Sequence, residues 1–410
     1  MTTMTGTAHE AVRAACADVR DGGPDDAVDG VAAGLVARPT STQQVAEVLR
    51  AAAGHGLTVV PRGRGTKLTW GLPPRSADLV VDLSAMDRVL DHAAGDLIAV
   101  TQAGARLADV QRTVAQGGQR LMLDETVPGA SVGGTLATNA SGPQRMLAGT
   151  ARDLLIGVTV VRADGVVAKA GGRVVKNVAG YDLGKLVIGS LGTLAVVTEA
   201  VFRLHPVPTT RRWVSVRVED PLLAHGLAQG VVHGQTVPHA VDLDWPADGP
   251  GTLTVLHGGS PDGVAARTEA VLGLLGPAAT VSDEAPAGWT SYPWSAGDTA
   301  LKLTCVLSGV GEVVAAARAC GATLRGSVGT GVLHAALPPG DPDTTVAAVE
   351  RLRTACTGHG GALVVVDAPA ATKAALDVWG PVPAIDLMRR VKDRFDPDHR
   401  LAPGRYAGGI

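Results

Sequence analysis

Between Gly34 and Val60 the apolar positions change period twice. Val36 and Ala37 form a short strand-like run before Pro39, after which Val45, Val48, Leu49 and Ala52 recur at helical spacing. Thr40 and Ser41 stand three residues ahead of Gln43 and Gln44, an arrangement that suits a capping box. Gly54 to Gly56 end that helix, and Leu57 to Val60 is a β-rich run entering Pro61. The pattern predicts an α/β unit that delivers a glycine-rich loop.

Further along, strands are expected at Leu79 to Leu83 and Leu97 to Thr101, and a helix at Leu107 to Ala115. A glycine-punctuated stretch follows from Val127 to Thr150. Leu155 to Arg162 alternates up to the Ala163-Asp164-Gly165 turn, and a second hairpin-like run follows at Val166 to Ala170. Leu204-His205-Pro206-Val207-Pro208 reads as a linker, since two close prolines oppose both helix and central strand. Beyond it, Trp213 to Val218, Leu253 to His257, Ala300 to Leu307 and Leu363 to Val366 alternate with Ala-rich helical runs, the pattern of a helix-covered sheet. The stretch Ala384 to Phe395 is amphipathic, with Ile385, Met388, Val391 and Phe395 on one side, and Asp396-Pro397 stops it.

A chain of 410 residues exceeds one compact core, which stops growing at roughly 250 to 300 residues, so two or three domains are expected. The expected division is an N-terminal segment to residue 29, a domain over 30–206, a second over 207–375, and a C-terminal segment over 376–410 that returns to the first. The net charge of -3, with Lys and Arg dispersed, argues against nucleic-acid binding. With no apolar h-region near the start and no window of ~18 apolar residues, the expected location is cytoplasmic, with any membrane association indirect. Cys16, Cys305, Cys320 and Cys356 lie too far apart for the short spacings of zinc and iron-sulfur sites. They read as free thiols, and no metal site is expected.

Three stretches invite a ligand. Pro61-Arg62-Gly63-Arg64-Gly65-Thr66-Lys67 follows a strand directly, so its amides can converge on a phosphate, although a plain turn is also compatible. A Rossmann fingerprint would need glycine at Leu68, and a Walker loop would need glycine at Ala179 ahead of Gly184-Lys185. The second stretch, Pro128-Gly129-Ala130-Ser131-Val132-Gly133-Gly134 through Thr138 to Gly142-Pro143, is built almost wholly of small residues that let backbone approach a flat ligand. The third joins Lys176-Asn177-Val178-Ala179-Gly180-Tyr181-Asp182-Leu183 to Gly189-Ser190-Leu191-Gly192 and the β-run through Val196 and Val197.

In order and spacing these stretches resemble the PCMH-type FAD-binding domain of the vanillyl-alcohol-oxidase family over about residues 30–206. The Lys176 to Leu183 variant and the tail Phe395-Asp396-Pro397 to Leu401-Ala402-Pro403-Gly404-Arg405 are most similar to the smaller flavin-binding subunits of bacterial glycolate oxidases. The resemblance implies an α+β chain: an FAD domain of two α/β subdomains and an α+β cap domain with an antiparallel sheet. It also implies FAD contacts at Pro61 through Lys67, at Pro128 through Gly134, and at Thr138, Gly142, Gly189, Gly192, Val196 and Val197. Covalent attachment needs a His or Cys near these loops, and neither stands between Arg62 and Lys67 or between Pro128 and Pro143, so the FAD is expected to be noncovalent.

The family's catalytic members carry Gly-His-Leu-Gly-Asp-Gly-Asn-Leu-His in the cap and a later Glu-His-Gly, whose histidines hold a metal or act as base. At the matching place this chain reads Gly326-Ser327-Val328-Gly329-Thr330-Gly331-Val332-Leu333-His334, and Glu-His-Gly is absent. A lone imidazole is poor metal chemistry, so His334 reads as structural, with a base role as the alternative. Lys302 can pair a substrate carboxylate or snorkel on a sheet edge. Ala402 replaces the family's Asn in the tail, which puts a polar contact there in doubt.

The resemblance implies an FAD-binding subunit of a glycolate oxidase complex, beside a larger flavin-binding catalytic subunit and an iron-sulfur subunit, with glycolate oxidised to glyoxylate. The alternatives are a free-standing FAD-dependent dehydrogenase of D-lactate type, acting on a small 2-hydroxy acid, and a non-catalytic scaffold holding structural flavin.

Overall fold

The computed structural model describes residues 6–173 and 182–410. They form two compact units. The first draws on Met1–Ala140, Thr150–Pro206 and Val382–Ile410, the second on Ser141–Gly149 and Val207–Pro381. Nine residues in the middle of the sequence expected for the first domain thus pack with the second.

The first unit holds two sheets. Strands β1 (Val19–Asp21), β2 (Ala33–Ala37), β3 (Val59–Arg62) and β4 (Ala77–Asp82) form one in the order β1-β2-β4-β3, parallel except for β1. The helix Thr42–Gly54 links β2 to β3. Ser41 caps it by accepting from the Gln44 amide, and it buries Val45, Ala46, Val48, Leu49 and Ala52. β2 and β3 run parallel on either side of β4, so a crossover helix joins them, and β3 leads straight into the glycine loop.

The second sheet comprises β5 (Val89–Ala93), β6 (Ile98–Gln102), β8 (Leu155–Val161), β9 (Val167–Gly171) and β10 (Val196–Arg203), after the short β7 (Gln119–Arg120). It is antiparallel in the order β5-β6-β10-β8-β9. Within the segment read as a linker, His205–Pro206 forms a two-residue strand, β11, paired antiparallel with β7, and the two units divide just after it. Two prolines exclude a central strand but not so short a two-stranded ladder, where a missing N–H costs little.

The second unit is built on one eight-stranded antiparallel sheet. Its strands are β12 (Thr210–Val218), β13 (Ala240–Trp245), β14 (Gly251–Gly259), β15 (Thr280–Ser282), β16 (Thr299–Thr304), β17 (Thr323–Ser327), β18 (Val332–Leu337) and β19 (Leu363–Asp367), ordered β15-β12-β14-β13-β17-β18-β16-β19. Alternation divides its faces. Val241, Leu243, Trp245, Leu301, Leu303, Leu324, Leu333 and Ala335 are buried on one face, where Arg318 of the helix Val310–Ala319 sits 4.7 Å over the Trp245 ring. Asp242, Asp244, Lys302, Arg325, Ser327 and His334 share the other.

Among the described residues no helix is long and apolar enough to cross a membrane. The helix Ile385–Phe395 forms as its pattern predicts, but its fully buried residue is Lys392, with Ile385, Met388, Val391 and Phe395 only partly covered.

Candidate functional site

In the first unit, the glycine stretches converge on an open cleft of about 720 Å³. Pro61 through Lys67 form one wall, Ser131, Gly133, Gly134 and Thr138 a second, and Ser190, Leu191, Gly192 and Val197 a third. The close approach requires glycine. A Cβ on Gly63 would collide with the Ser131 side chain, and one on Gly192, where φ is +77°, would lie 2.5 Å from Pro61 Cγ. Ser131 Oγ accepts from the Gly134 amide at 3.2 Å and from the Arg64 amide at 3.4 Å, tying the first wall to the second.

The guanidinium groups of the first loop are engaged within the unit. Arg62 bridges Asp26 at 3.0 Å and Asp82 at 2.8 Å, and Arg64 donates to the Gly104 carbonyl at 3.1 Å and reaches Asp87 at 3.3 Å. Asp26, held by Arg20 first and by the Gly23 amide and Arg62 as well, stays well below the usual carboxylate range. Lys67 differs. Its side chain is nearly buried in the cleft wall, with Nζ 3.3 Å from Thr66 Oγ1 and 5.9 Å from the Trp70 ring centroid. Burial pulls it down to about 8 while the Glu125 carboxylate opposes the shift.

Not every expected contact faces the cleft. Val196 alternates with Val197 along β10 and is buried in the core, as are Ala130 and Val132 on either side of the capping Ser131. Pro128 is exposed, and the Gly129 amide is spent on Glu125 Oε1 at 3.0 Å. The Gly189 amide holds the Leu136 carbonyl at 2.9 Å, so Gly189 fastens the third wall to the second without lining the cleft. Gly142 lies in the other unit. Val174 to Tyr181, including Lys176 and Asn177, lies outside the described residues.

The C-terminal segment completes the cleft, a role the sequence reading did not assign to particular side chains. Arg405 lines it and donates to the Leu68 and Trp70 carbonyls at 2.6 and 2.7 Å. Ala402 binds through its backbone, its amide donating to Val59 O at 2.8 Å, so the missing Asn side chain leaves that strand contact intact. Lys392 Nζ donates to Thr193 O at 2.7 Å and to Leu401 O at 3.0 Å while pairing with Asp396.

The cleft fits FAD by its donor set: small-residue walls for a flat ring, loop backbone for a pyrophosphate, and the cations Arg62, Arg64, Lys67 and Arg405 along its lining. Among the described residues its lining holds no His or Cys.

The second unit has a smaller cavity of about 300 Å³, lined by Ser141, Gly142, Arg145, Asp242, Tyr292, Ser327 and His334 among others. His334 is 8% exposed and packs against Tyr292, ring centroids 4.5 Å apart. Burial first, then the charges of Arg145 and Lys302, push its pKa well below the usual histidine value, so it is a neutral imidazole here. Lys302 lies directly opposite His334 on β16, between β18 and β19. It is therefore not on a sheet edge, and burial with the Arg145 charge lowers it to about 8. Arg325 is spent on Asp244, two contacts of 3.0 Å, and on the Gly288 and Ser291 carbonyls. Sequence reasoning missed Arg145 and Asp242, which reach this cavity from distant segments.

Residues 33–171 match the family described as FAD binding domain. Glycolate oxidase subunit GlcD of Bacillus subtilis is 32% identical over 239 residues, 58% of this chain and 50% of that protein. A D-lactate dehydrogenase of Archaeoglobus fulgidus is 34% identical over 172 residues, 42% of this chain and 39% of that protein. A D-2-hydroxyglutarate dehydrogenase of Xanthomonas citri is 36% identical over 174 residues, 42% and 37% of the two chains. The chain thus spans half or less of the length of these relatives. An alkyldihydroxyacetonephosphate synthase structure superposes with a TM-score of 0.70 at 18% identity, covering 92% of this chain and 78% of that one, a likeness of fold. The first unit thus carries a PCMH-type FAD-binding domain, and FAD is the cofactor of this chain.

Proposed function

We propose that this chain is an FAD-dependent oxidoreductase acting on the CH–OH group of a small 2-hydroxy acid, glycolate first, as the smaller flavin-binding subunit of a glycolate oxidase assembly. The single observation that carries this reading is the glycine-walled cleft within an FAD binding domain whose relatives include a glycolate oxidase subunit and D-2-hydroxy-acid dehydrogenases. Bound FAD supplies a two-electron acceptor for the hydride of the substrate carbon. The chain's own part is to hold that cofactor with Pro61 to Lys67, Ser131 to Thr138 and Arg405. Within the second unit's own cavity His334 is a neutral imidazole, able to hydrogen-bond a polar ligand held there.

In this reading the electrons pass on to other chains. The four cysteines are free thiols, and among the described residues no group of three or more His, Cys, Asp or Glu side chains has the placement of a metal site. The proposed partners are a larger flavin subunit and an iron-sulfur subunit, through which the assembly would meet the inner face of a membrane. The polar cavity of the second unit favours a second reading, a free-standing dehydrogenase of D-lactate type. Anaerobic absorbance spectra of the purified FAD-loaded chain, before and after glycolate or D-lactate, test both. Bleaching of the oxidised flavin band by the chain alone supports turnover without partners. Bleaching only after partner subunits are added supports the assembly. A spectrum unchanged in both cases overturns the oxidoreductase reading and leaves a flavin-holding scaffold.

A further inference from the structure

The polar face of the second unit's sheet carries a row that crosses four strands. Asp244 on β13 is in register with Arg325 on β17, Arg325 with His334 on β18, and His334 with Lys302 on β16. One step along the strands, Asp242 pairs with Ser327 and Ser327 with Val332. Directly opposed residues present their side chains on the same face, so these groups form one polar surface. Arg145, from the segment Ser141–Gly149, stands over it and lines the same cavity.

Two groups here lack the partners that buried polar atoms ordinarily have. Ser327 Oγ is 2% exposed, lines the cavity and has no hydrogen-bond partner among the described residues. Lys302 meets no carboxylate among the described residues, and its charge is felt by His334 and Arg145, both on the cavity wall. Arg325 is spent on Asp244, while Lys302 and Arg145 bring positive charge to His334 at the cavity wall. The metal that the resemblance implies for a cap does not fit, because Ser327, Thr330 and Val332 provide no imidazole or carboxylate beside His334, and among the described residues no group of three or more such ligands gathers.

We propose that this cavity is a metal-independent site for one small monocarboxylate, with Lys302 and Arg145 supplying the charge that binds it and the Ser327 hydroxyl donating to a carboxylate oxygen. A single carboxylate supplies the acceptor that the Ser327 hydroxyl and the Lys302 ammonium lack among the described residues. Ser327 gains the acceptor it lacks, and Asp242, at the same wall, is placed to accept from a hydroxyl on the neighbouring carbon. The site stands on the cavity alone; that its ligand is also the oxidisable 2-hydroxy acid rests on the proposed function.

The test uses the full FAD-loaded chain, stripped of metals with EDTA and dialysed, titrated with acetate and with glycolate. Calorimetry and the fluorescence of Trp289, which lines the cavity, and of Trp294, stacked on Tyr292, report binding. Saturable binding of both anions is expected, unchanged by added Mn²⁺ or Zn²⁺. Lys302→Met is expected to weaken it about tenfold or more, as loss of a charged hydrogen-bonding partner does. Ser327→Ala, which removes a hydroxyl with no partner in the fold, is expected to weaken binding several-fold while the melting temperature holds. Binding that requires a divalent cation, binding that survives both substitutions, or absence of saturable binding overturns the site. Carboxylate binding without flavin reduction, even with partner subunits, overturns the oxidoreductase reading and leaves the site standing. Flavin reduction by glycolate that neither substitution alters does the reverse.

Discussion

Lys392 Nζ lies 2.6 Å from Asp396 Oδ2, with both side chains fully removed from solvent, one turn apart at the end of the helix Ile385–Phe395. The pair is a clasp. Lys392 also holds the Thr193 carbonyl in the third wall of the flavin cleft, and Asp396 accepts the Leu401 amide at 2.7 Å. Lys392→Met leaves Asp396 buried without its cation, and a loss of about 3 to 5 kcal/mol is expected. Denaturant unfolding measures it. Replacing both residues with apolar ones should recover a large part of that stability but not FAD affinity, because Thr193 remains untied. Equal recovery of both would show that the clasp serves folding alone.

Gly192 cannot carry a side chain. At φ +77° any other residue is strained by about 1 to 2 kcal/mol, and the added Cβ also meets Pro61 at 2.5 Å. Gly192→Ala is expected to yield a folded chain with FAD affinity at least about tenfold weaker, read from the ratio of flavin to protein absorbance after dialysis.

The flavin should leave on denaturation. Since the cleft lining offers no His or Cys among the described residues, acid precipitation is expected to send the yellow colour into the supernatant. Flavin fluorescence retained in the pellet would mean a covalent link.

His257 sets an acid limit. It is fully buried in β14, and neither ring nitrogen has a partner of ordinary hydrogen-bond geometry among the described residues. Burial first, then Arg267 and His239, push it down to about 4, with the Val237 backbone opposing. The unfolded chain takes up this proton near pH 6.5 and the folded chain only near 4, so stability falls as pH drops through that window and levels off below it. The loss is on the order of 2 to 3 kcal/mol. Unfolding midpoints measured from pH 7 to pH 4 should show it, and His257→Leu should remove that share of the slope.

The flavin cleft was legible in the sequence because its chemistry is local. Each wall is a contiguous run whose glycines mark where backbone must approach, and Gly63 and Gly192 are needed for that reason. Within those runs the side-chain directions were not legible. Val196 and Val197 look alike in the sequence, and strand alternation alone sends one to the core and the other to the cleft. The clasp was hidden because the helix looks amphipathic about Ile385, Met388, Val391 and Phe395, whereas the helix turns Lys392 inward to carbonyls and a carboxylate. The second cavity was hidden more deeply. His334 and Lys302 were each visible, but only the register of β13, β17, β18 and β16 aligns them with Asp242, Ser327 and Arg325. Arg145 joins them from a separate, earlier segment of the chain, more than 150 residues before Lys302.

That segment has a consequence for synthesis. The chain passes between its two units after residues 140, 149, 206 and 381, so neither unit is a continuous stretch of polypeptide. A growing chain on the ribosome holds the loops of the flavin cleft early, yet Lys392, Asp396 and Arg405, which fasten them, follow the whole of the second unit. The cofactor domain therefore closes only after the second unit's strands have emerged, and a chain broken off before residue 382 would expose its loops without the parts that lock them.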